Sequence, residues 1–270
     1  MPFDRRDFLC LAAAAGAAAA LPPAAAGSAA RARIRAVAFD GFPVFDPRPS
    51  ARLAESMFPG RAAALVTAWR TRLFEYQWLR TLSGRYADFV DTAHAGLAFA
   101  AKAQGIELDE ERRGALVHAL VDLRPWPDAP AALAALREQG VRLGFLSNMT
   151  EGMLRNGIRQ GGLEGLFEHV LSADRVRAHK PDPRAYAMGV EAFGVGREEI
   201  LFASFAGWDT AGASWFGYPT FWVNRAGSNP EELAVFADAS GPGLRELVDY
   251  VRERNAAART LHPTRAATTT

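Results

Sequence analysis

Bond-breaking chemistry in this 270-residue chain would have to come from a few acids, one lysine and some hydroxyl and amide side chains. Asp40 ends the apolar run Arg35-Ala36-Val37-Ala38-Phe39 and is followed at once by Gly41-Phe42-Pro43. A lone carboxylate in that setting can act as a nucleophile, ligate a metal or cap the turn. Ser147-Asn148 follows Val141-Arg142-Leu143-Gly144-Phe145-Leu146, and Lys180 lies in His179-Lys180-Pro181-Asp182-Pro183. Ser204 and Asp209 follow Glu199-Ile200-Leu201-Phe202-Ala203. Each has an ordinary structural use as well. Ser147-Asn148 would cap the helix that follows, Ser204 would be strand-end surface, and His179 a loop residue.

What distinguishes the set is where its members fall. Short β-prone runs closed by turn formers read as buried strands at about 35–39, 141–146, 169–171, 199–203 and 220–223. Helical stretches separate them, at about 128–139, 150–160, 183–193, from Trp208 onward, and at 243–255. This alternation predicts an α/β fold with a Rossmann-like, doubly wound parallel sheet. In such a sheet the carboxyl ends of the strands lie along one edge, where ligands bind. Asp40, Ser147-Asn148, Lys180, Ser204 and Asp209 would all stand on that edge. The first strand is followed by a long region with helical period and no strand from Ser50 to about Leu123. Trp69, Leu73, Tyr76 and Leu79 or Arg80 mark one helix face; Tyr86, Phe89, Val90, Ala93, Leu97 and Ala100 mark a second. Asp109-Glu110-Glu111 opens a third helix with acids at its amino end. The domain reading is therefore a core of 33–48 and 124–255 with an inserted helical cap of 49–123.

The order of strand-end Asp, then Ser, then Lys before Pro, then an acidic loop resembles the haloacid dehalogenase superfamily. Phe58-Pro59-Gly60-Arg61, the segment Trp69-Arg70-Thr71-Arg72-Leu73-Phe74-Glu75-Tyr76-Gln77-Trp78-Leu79-Arg80, Leu146-Ser147-Asn148, Lys180 through Tyr186, and Trp208-Asp209 further resemble the type II 2-haloacid dehalogenases. The likeness runs from about Ala36 to Leu247. It implies hydrolytic dehalogenation of short (S)-2-haloacids to (R)-2-hydroxyacids, without cofactor. Asp40 would attack C2 and form an ester; Lys180 would keep Asp40 ionised; Asp209 would position or activate the hydrolytic water. Ser147 would hold the substrate carboxylate, while Arg70 and Asn148 would receive the halide. Phe74, Phe89 and Trp208 would form an apolar wall, Tyr186 would support the site, and Phe42 and Ser204 would complete the substrate-binding set. Family members can dimerise through the cap.

Metal chemistry is disfavoured by residue type. Phosphatases of the superfamily carry a second Asp where this chain has Phe42, and another where it has Ser204. Magnesium prefers several oxygen ligands, carboxylates among them, and a halide leaves without being protonated. The five histidines show no metal-ligand spacing. The chain also departs from the dehalogenases. Pro43-Val44 replaces Gly-Thr, deleting a hydroxyl that would bond the nucleophile, and Ala206 replaces an asparagine. A weak or inactive anion-binding relative, or a phosphatase, are the alternative readings.

Net charge is +1, with basic residues scattered, which argues against a nucleic-acid partner. At the amino end, Arg5-Arg6 precedes an apolar stretch from Phe8 to about Leu21 and then small residues, resembling a twin-arginine signal peptide of 1–30. That predicts a periplasmic protein with no membrane segment after processing. Cys10, the single cysteine, lies in this segment, so the mature chain would lack thiols and disulfides. The tail 256–270, rich in Ala, Thr and Arg, is expected to be disordered.

Overall fold

The computed structural model describes residues 32–261, so the expected signal peptide and the last nine residues lie outside the described part. Six parallel strands form one sheet: β1 (Ala36–Phe39), β4 (Arg142–Ser147), β5 (His169–Ser172), β6 (Ile200–Ser204), β7 (Thr220–Val223) and β8 (Ala239–Gly241). Their order is β5-β4-β1-β6-β7-β8. The chain thus winds outward from β1 in one direction, returns, and winds outward in the other. The crevice where the direction reverses, between β1 and β6, is where open α/β sheets bind ligands. Register there is direct: Phe39 stands level with Phe145 on one side and Ala203 on the other. β1 is buried along its whole length, which is why its four residues are uniformly apolar rather than alternating.

Helices α6 (Ala129–Glu138), α7 (Glu151–Gln160), α8 (Pro183–Phe193), α9 (Gly207–Phe216) and α10 (Leu244–Leu261) connect and flank the strands. Phe45 stacks on Phe145 at 5.3 Å and Phe145 on Phe167 at 4.1 Å in the core beneath one sheet face. Tyr186, Phe202 and Tyr218 pack on the other. Asn255 in α10 accepts the Ile34 N–H at 2.7 Å and donates to the Ile34 carbonyl at 3.0 Å, tying the last helix to the approach of β1. Residues 256–261, expected to be disordered, continue α10. The run Ala256-Ala257-Ala258-Arg259 consists of strong helix formers and has no stop signal.

Between β1 and α6 the chain forms α1 (Gly41–Val44, a single turn), β2 (Phe45–Asp46), α2 (Arg48–Met57), α3 (Ala62–Leu82), α4 (Phe89–Ala103), α5 (Glu110–Val121) and β3 (Arg124–Pro125). β2 and β3 pair antiparallel, so the entrance and exit of the helical insertion are zipped together. Sequence reading left this pair and β8 unassigned because two- and three-residue strands carry no period. α2 begins at Arg48, two residues before the expected start of the helical region at Ser50. Pro49 occupies the first turn of α2, where a missing N–H costs nothing. Phe58-Pro59-Gly60 separates α2 from α3, with Gly60 at φ 72°. The buried stripe of α3 is Leu65, Trp69, Leu73 and Gln77 rather than the expected Tyr76 and Leu79, the latter 58% exposed. Gly96 allows α4 to approach α3 closely, since a Cβ there would lie 3.0 Å from the Leu73 backbone nitrogen. Among the described residues no helix is long and apolar enough to cross a membrane.

Candidate active site

Asp40 leaves β1 with extended backbone (φ −61°, ψ 163°), and its N–H donates to the Ala203 carbonyl at 3.0 Å. This bond fixes the residue at the crevice between β1 and β6. Its carboxylate is unevenly partnered. Oδ1 accepts from the Ser147 hydroxyl at 2.9 Å and from Lys180 Nζ at 3.0 Å, whereas among the described residues Oδ2 accepts only the Phe42 N–H, at 3.2 Å. Oδ2 therefore keeps a lone pair for attack, while Oδ1 is anchored. Asp40 is 8% exposed and lines a cavity of about 480 Å³ between core and cap.

Lys180 lies behind it, 1% exposed, and bridges to Asp209 Oδ2 at 2.7 Å. Burial alone would lower the lysine pKa. Asp209 and Asp40 outweigh it, so the ammonium is held above its ordinary value. Asp209, in the first turn of α9, has its carboxyl pushed up to about 6, chiefly by burial and then by the neighbouring Asp40 charge, against the pull of Lys180 and Tyr186. Tyr186 donates to Asp209 Oδ1 at 2.7 Å and is itself held by Tyr218, whose hydroxyl donates to the Tyr186 carbonyl at 2.6 Å. Burial and the Asp209 charge keep the Tyr186 phenol protonated well beyond its usual range. One cation between two carboxylates leaves the cluster with one negative charge when both acids are ionised. Among the described residues no group of three His, Cys, Asp or Glu is placed to hold a metal ion.

The cap supplies the opposite wall. Arg70 lines the cavity with an exposed guanidinium for which no partner is found among the described residues. Arg72, two residues on, pairs with Glu75 at 2.8 Å and lies 4.1 Å over the Phe99 ring. Phe74 meets Trp208 at 5.2 Å, and Trp78 meets Trp208 at 5.4 Å, so cap and core aromatics close one side together. Phe42 lies between Phe89 and Phe205, at 6.4 and 5.6 Å. Phe42, Phe74, Phe89 and Trp208 all face the cavity as expected from the sequence.

Four expected contacts differ. The proton of the Ser147 hydroxyl goes to Asp40, and its oxygen accepts the Gly41 and Met149 N–H groups, each at 3.3 Å. Ser147 thus supplies the bond to the nucleophile that Val44 cannot make. The Asn148 amide is engaged rather than free for a halide: Nδ2 donates to Gln77 at 2.9 Å and Oδ1 accepts the Lys180 N–H at 2.8 Å. Ser204 is fully buried and bonded to the Thr210 hydroxyl, and Tyr186 is fully buried behind Asp209; neither lines the cavity. Ser204 turns from the strand end toward Thr210, and Tyr186 reaches Asp209 from behind rather than from the cavity, directions that sequence position does not reveal.

A family profile described as haloacid dehalogenase-like hydrolase matches residues 14–217. The chain belongs to that family. Haloacetate dehalogenase H-2 of Moraxella sp. (strain B) is 36% identical over 220 residues, covering 81% of this chain and 98% of that protein. The (S)-2-haloacid dehalogenase of Pseudomonas sp. (strain YL) is 36% identical over 217 residues, covering 80% and 94%. Among solved structures, the Xanthobacter autotrophicus L-2-haloacid dehalogenase with chloropropionic acid covalently bound superposes with a TM-score of 0.73 at 33% identity, covering 81% of this chain and 98% of that one.

Within this haloacid dehalogenase-like hydrolase, sequence reasoning passed over Gln77, Trp78 as a cavity residue, and Phe205. Gln77 had a readable signal: an amide four residues after Leu73, in an otherwise apolar stripe. Trp78 and Phe205 had none, because aromatic residues on helices and strand ends are used for core and cavity alike.

Proposed function

We propose that the chain hydrolyses short (S)-2-haloalkanoic acids to (R)-2-hydroxyacids through an ester on Asp40. The observation that carries this reading is the asymmetry of the Asp40 carboxylate: one oxygen held by Ser147 and Lys180, the other open to a largely apolar cavity with an unpaired arginine opposite. Asp40 Oδ2 attacks C2 from the face opposite the halogen, forming the C–O bond as the C–X bond breaks and the halide takes the electron pair. Arg70 is the cation placed to meet the anionic substrate and the departing halide. Water then adds to the Asp40 carboxyl carbon, with Asp209 accepting its proton. The bond from the carboxyl carbon to the ester oxygen breaks, that oxygen takes back the proton held by Asp209 as the hydroxyacid departs, and the Asp40 carboxyl, now carrying the water oxygen, loses its remaining proton to solvent. Because attack in the second step falls on the carboxyl carbon, C2 is inverted once only. The covalently bound chloropropionic acid in the Xanthobacter autotrophicus relative supports the ester route.

Two outcomes test the proposal. Wild-type protein releases halide from (S)-2-chloropropionate in the presence of EDTA, and Asp40→Ala does not. In single-turnover reactions in H₂¹⁸O the label enters Asp40 before it enters product. Halide release that survives Asp40→Ala, or turnover of phosphate esters only with magnesium, would defeat it.

We further propose export to the periplasm by a twin-arginine-type signal at residues 1–30, on the strength of Arg5-Arg6 and the apolar stretch after them. Fractionation of cells expressing the full chain and its Arg5→Lys/Arg6→Lys variant tests this: wild type processed and periplasmic, variant retained. Equal fractionation of the two would refute it.

A further inference from the structure

A chain of hydrogen bonds runs from the cap into the backbone of the residue that carries the buried ammonium. Thr92, at the start of α4, donates its hydroxyl proton to the Asp88 carbonyl at 2.9 Å or the Phe89 carbonyl at 3.0 Å, which leaves its oxygen as an acceptor. Gln77 Nε2 donates to that oxygen at 3.4 Å. Gln77 Oε1 must then face the core, where it accepts from Asn148 Nδ2 at 2.9 Å. This fixes the orientation of the Asn148 amide, whose Oδ1 accepts the Lys180 N–H at 2.8 Å while Nδ2 also reaches the Lys180 carbonyl at 3.5 Å. Asn148 therefore grips Lys180 on both sides of its α-carbon. Turned over, it would set N–H against N–H and oxygen against oxygen. Gln77 and Thr92 are fully buried, and Asn148 is 3% exposed, so water offers no substitute partners.

One turn further along α3, Thr81 Oγ1 accepts the His179 N–H at 3.0 Å, and the His179 ring nitrogen Nε2 lies 2.9 Å from the Ala87 carbonyl. Gln77 and Thr81, four apart on one helix face, thus address consecutive residues of the lysine loop. A buried amide pair meant only to stabilise the cap interface would have no need to reach the peptide units around one particular residue. We infer that Gln77 is a positioning residue: it orients Asn148, and through Asn148 it sets the backbone of Lys180, so that the ammonium meets Asp40 and Asp209 only when the cap is seated on the core.

The activity arm of the test rests on the dehalogenase reading; a second arm does not. Gln77→Leu removes the acceptor at similar volume, while Gln77→Glu keeps an acceptor facing Asn148. Leaving the Asn148 amide without its buried partner lowers kcat for halide release by about 10- to 100-fold, with KM changed by less than about threefold. Gln77→Glu recovers most of that loss. Amide hydrogen exchange at Lys180, followed by NMR in the ligand-free protein, speeds up in Gln77→Leu and returns toward wild type in Gln77→Glu. If Gln77→Leu lowers the melting temperature but leaves kcat or Lys180 exchange as in wild type, Gln77 is an ordinary interface residue and the inference fails. A wild-type protein that releases no halide would count against the dehalogenase reading, and Lys180 exchange alone would then decide the role of Gln77.

Discussion

Tyr186→Phe removes the phenol hydroxyl that donates to Asp209, at 2.7 Å to Oδ1 and 3.3 Å to the backbone carbonyl. The ring stays packed, 5.5 Å from Phe202 in an edge contact, so the fold survives. What the Asp209 carboxylate loses is the 2.7 Å bond from the phenol to Oδ1. That bond favours the charged carboxylate and adds to the stronger pull of Lys180 against burial, which has pushed the Asp209 carboxyl up to about 6. A hydrogen bond to a charged group is worth about 1.5–3 kcal/mol, and one pKa unit is 1.36 kcal/mol. Asp209 in the variant should therefore titrate about one to two units higher. Only the ionised form can take a proton from the hydrolytic water. The acid limb of kcat should accordingly move upward from about pH 6 in wild type, by about one pH unit or more in the variant, while the alkaline plateau stays nearly level. Halide release at saturating (S)-2-chloropropionate, measured from pH 5 to 9, gives the limb. Intact-protein mass spectrometry should find the Asp40 ester accumulating below the limb, since its formation does not need Asp209. An acid limb that stays put, or moves down, would refute the role assigned to Asp209 and to the tyrosine behind it.

Other substitutions separate binding from support. Arg70→Ala removes an exposed, unpartnered charge, so urea stability should change by less than about 0.5 kcal/mol; steady-state halide assays should nonetheless register a large loss of kcat/KM. Lys180→Met leaves two buried carboxylates without their shared cation, at a cost of roughly 3–5 kcal/mol near neutrality. The wild-type contribution of Lys180, whose pKa is raised on folding, is fully present below its ordinary 10.5 and fades only above it. In the variant the penalty should shrink as pH falls and Asp209, already raised to about 6 by burial, takes up a proton, which urea midpoints at pH 5 and 8 would reveal. Gly212→Ala places a Cβ 2.6 Å from the Tyr186 hydroxyl and 2.7 Å from Pro181 Cβ. It should destabilise by about 1–3 kcal/mol and shift the acid limb in the same direction as Tyr186→Phe.

The α/β alternation and the convergence of Asp40, Ser147, Lys180 and Asp209 could be read from sequence because each strand is a short apolar run ending in a polar residue. Direction within that edge could not. Whether Ser204 and Tyr186 face the cavity or the layer beneath depends on the pleat and on the tilt of α8, and both turned inward. The helical insertion was legible from its period, but its buried stripe was displaced by Gln77, an amide tolerated in the interior only because Asn148 satisfies it. The loss of Thr at Val44 suggested a weakened nucleophile. The hydroxyl of Ser147, 107 positions after Asp40, nonetheless holds the nucleophile.

β1 has a further consequence for how the molecule is made. Among the described strands it comes first in the chain, and it lies at the centre of the sheet beside β6; its neighbours, starting at Arg142 and Ile200, are translated much later. The knot that secures its approach, Asn255 on Ile34, comes later still. Nearly every group discussed above is present in a chain stopped before Asn255, yet such a chain would lack the last clasp on the strand that presents Asp40. The reactive carboxylate is thus made well before the groups that aim it, Ser147 and Lys180, which lie 107 and 140 positions further along the chain.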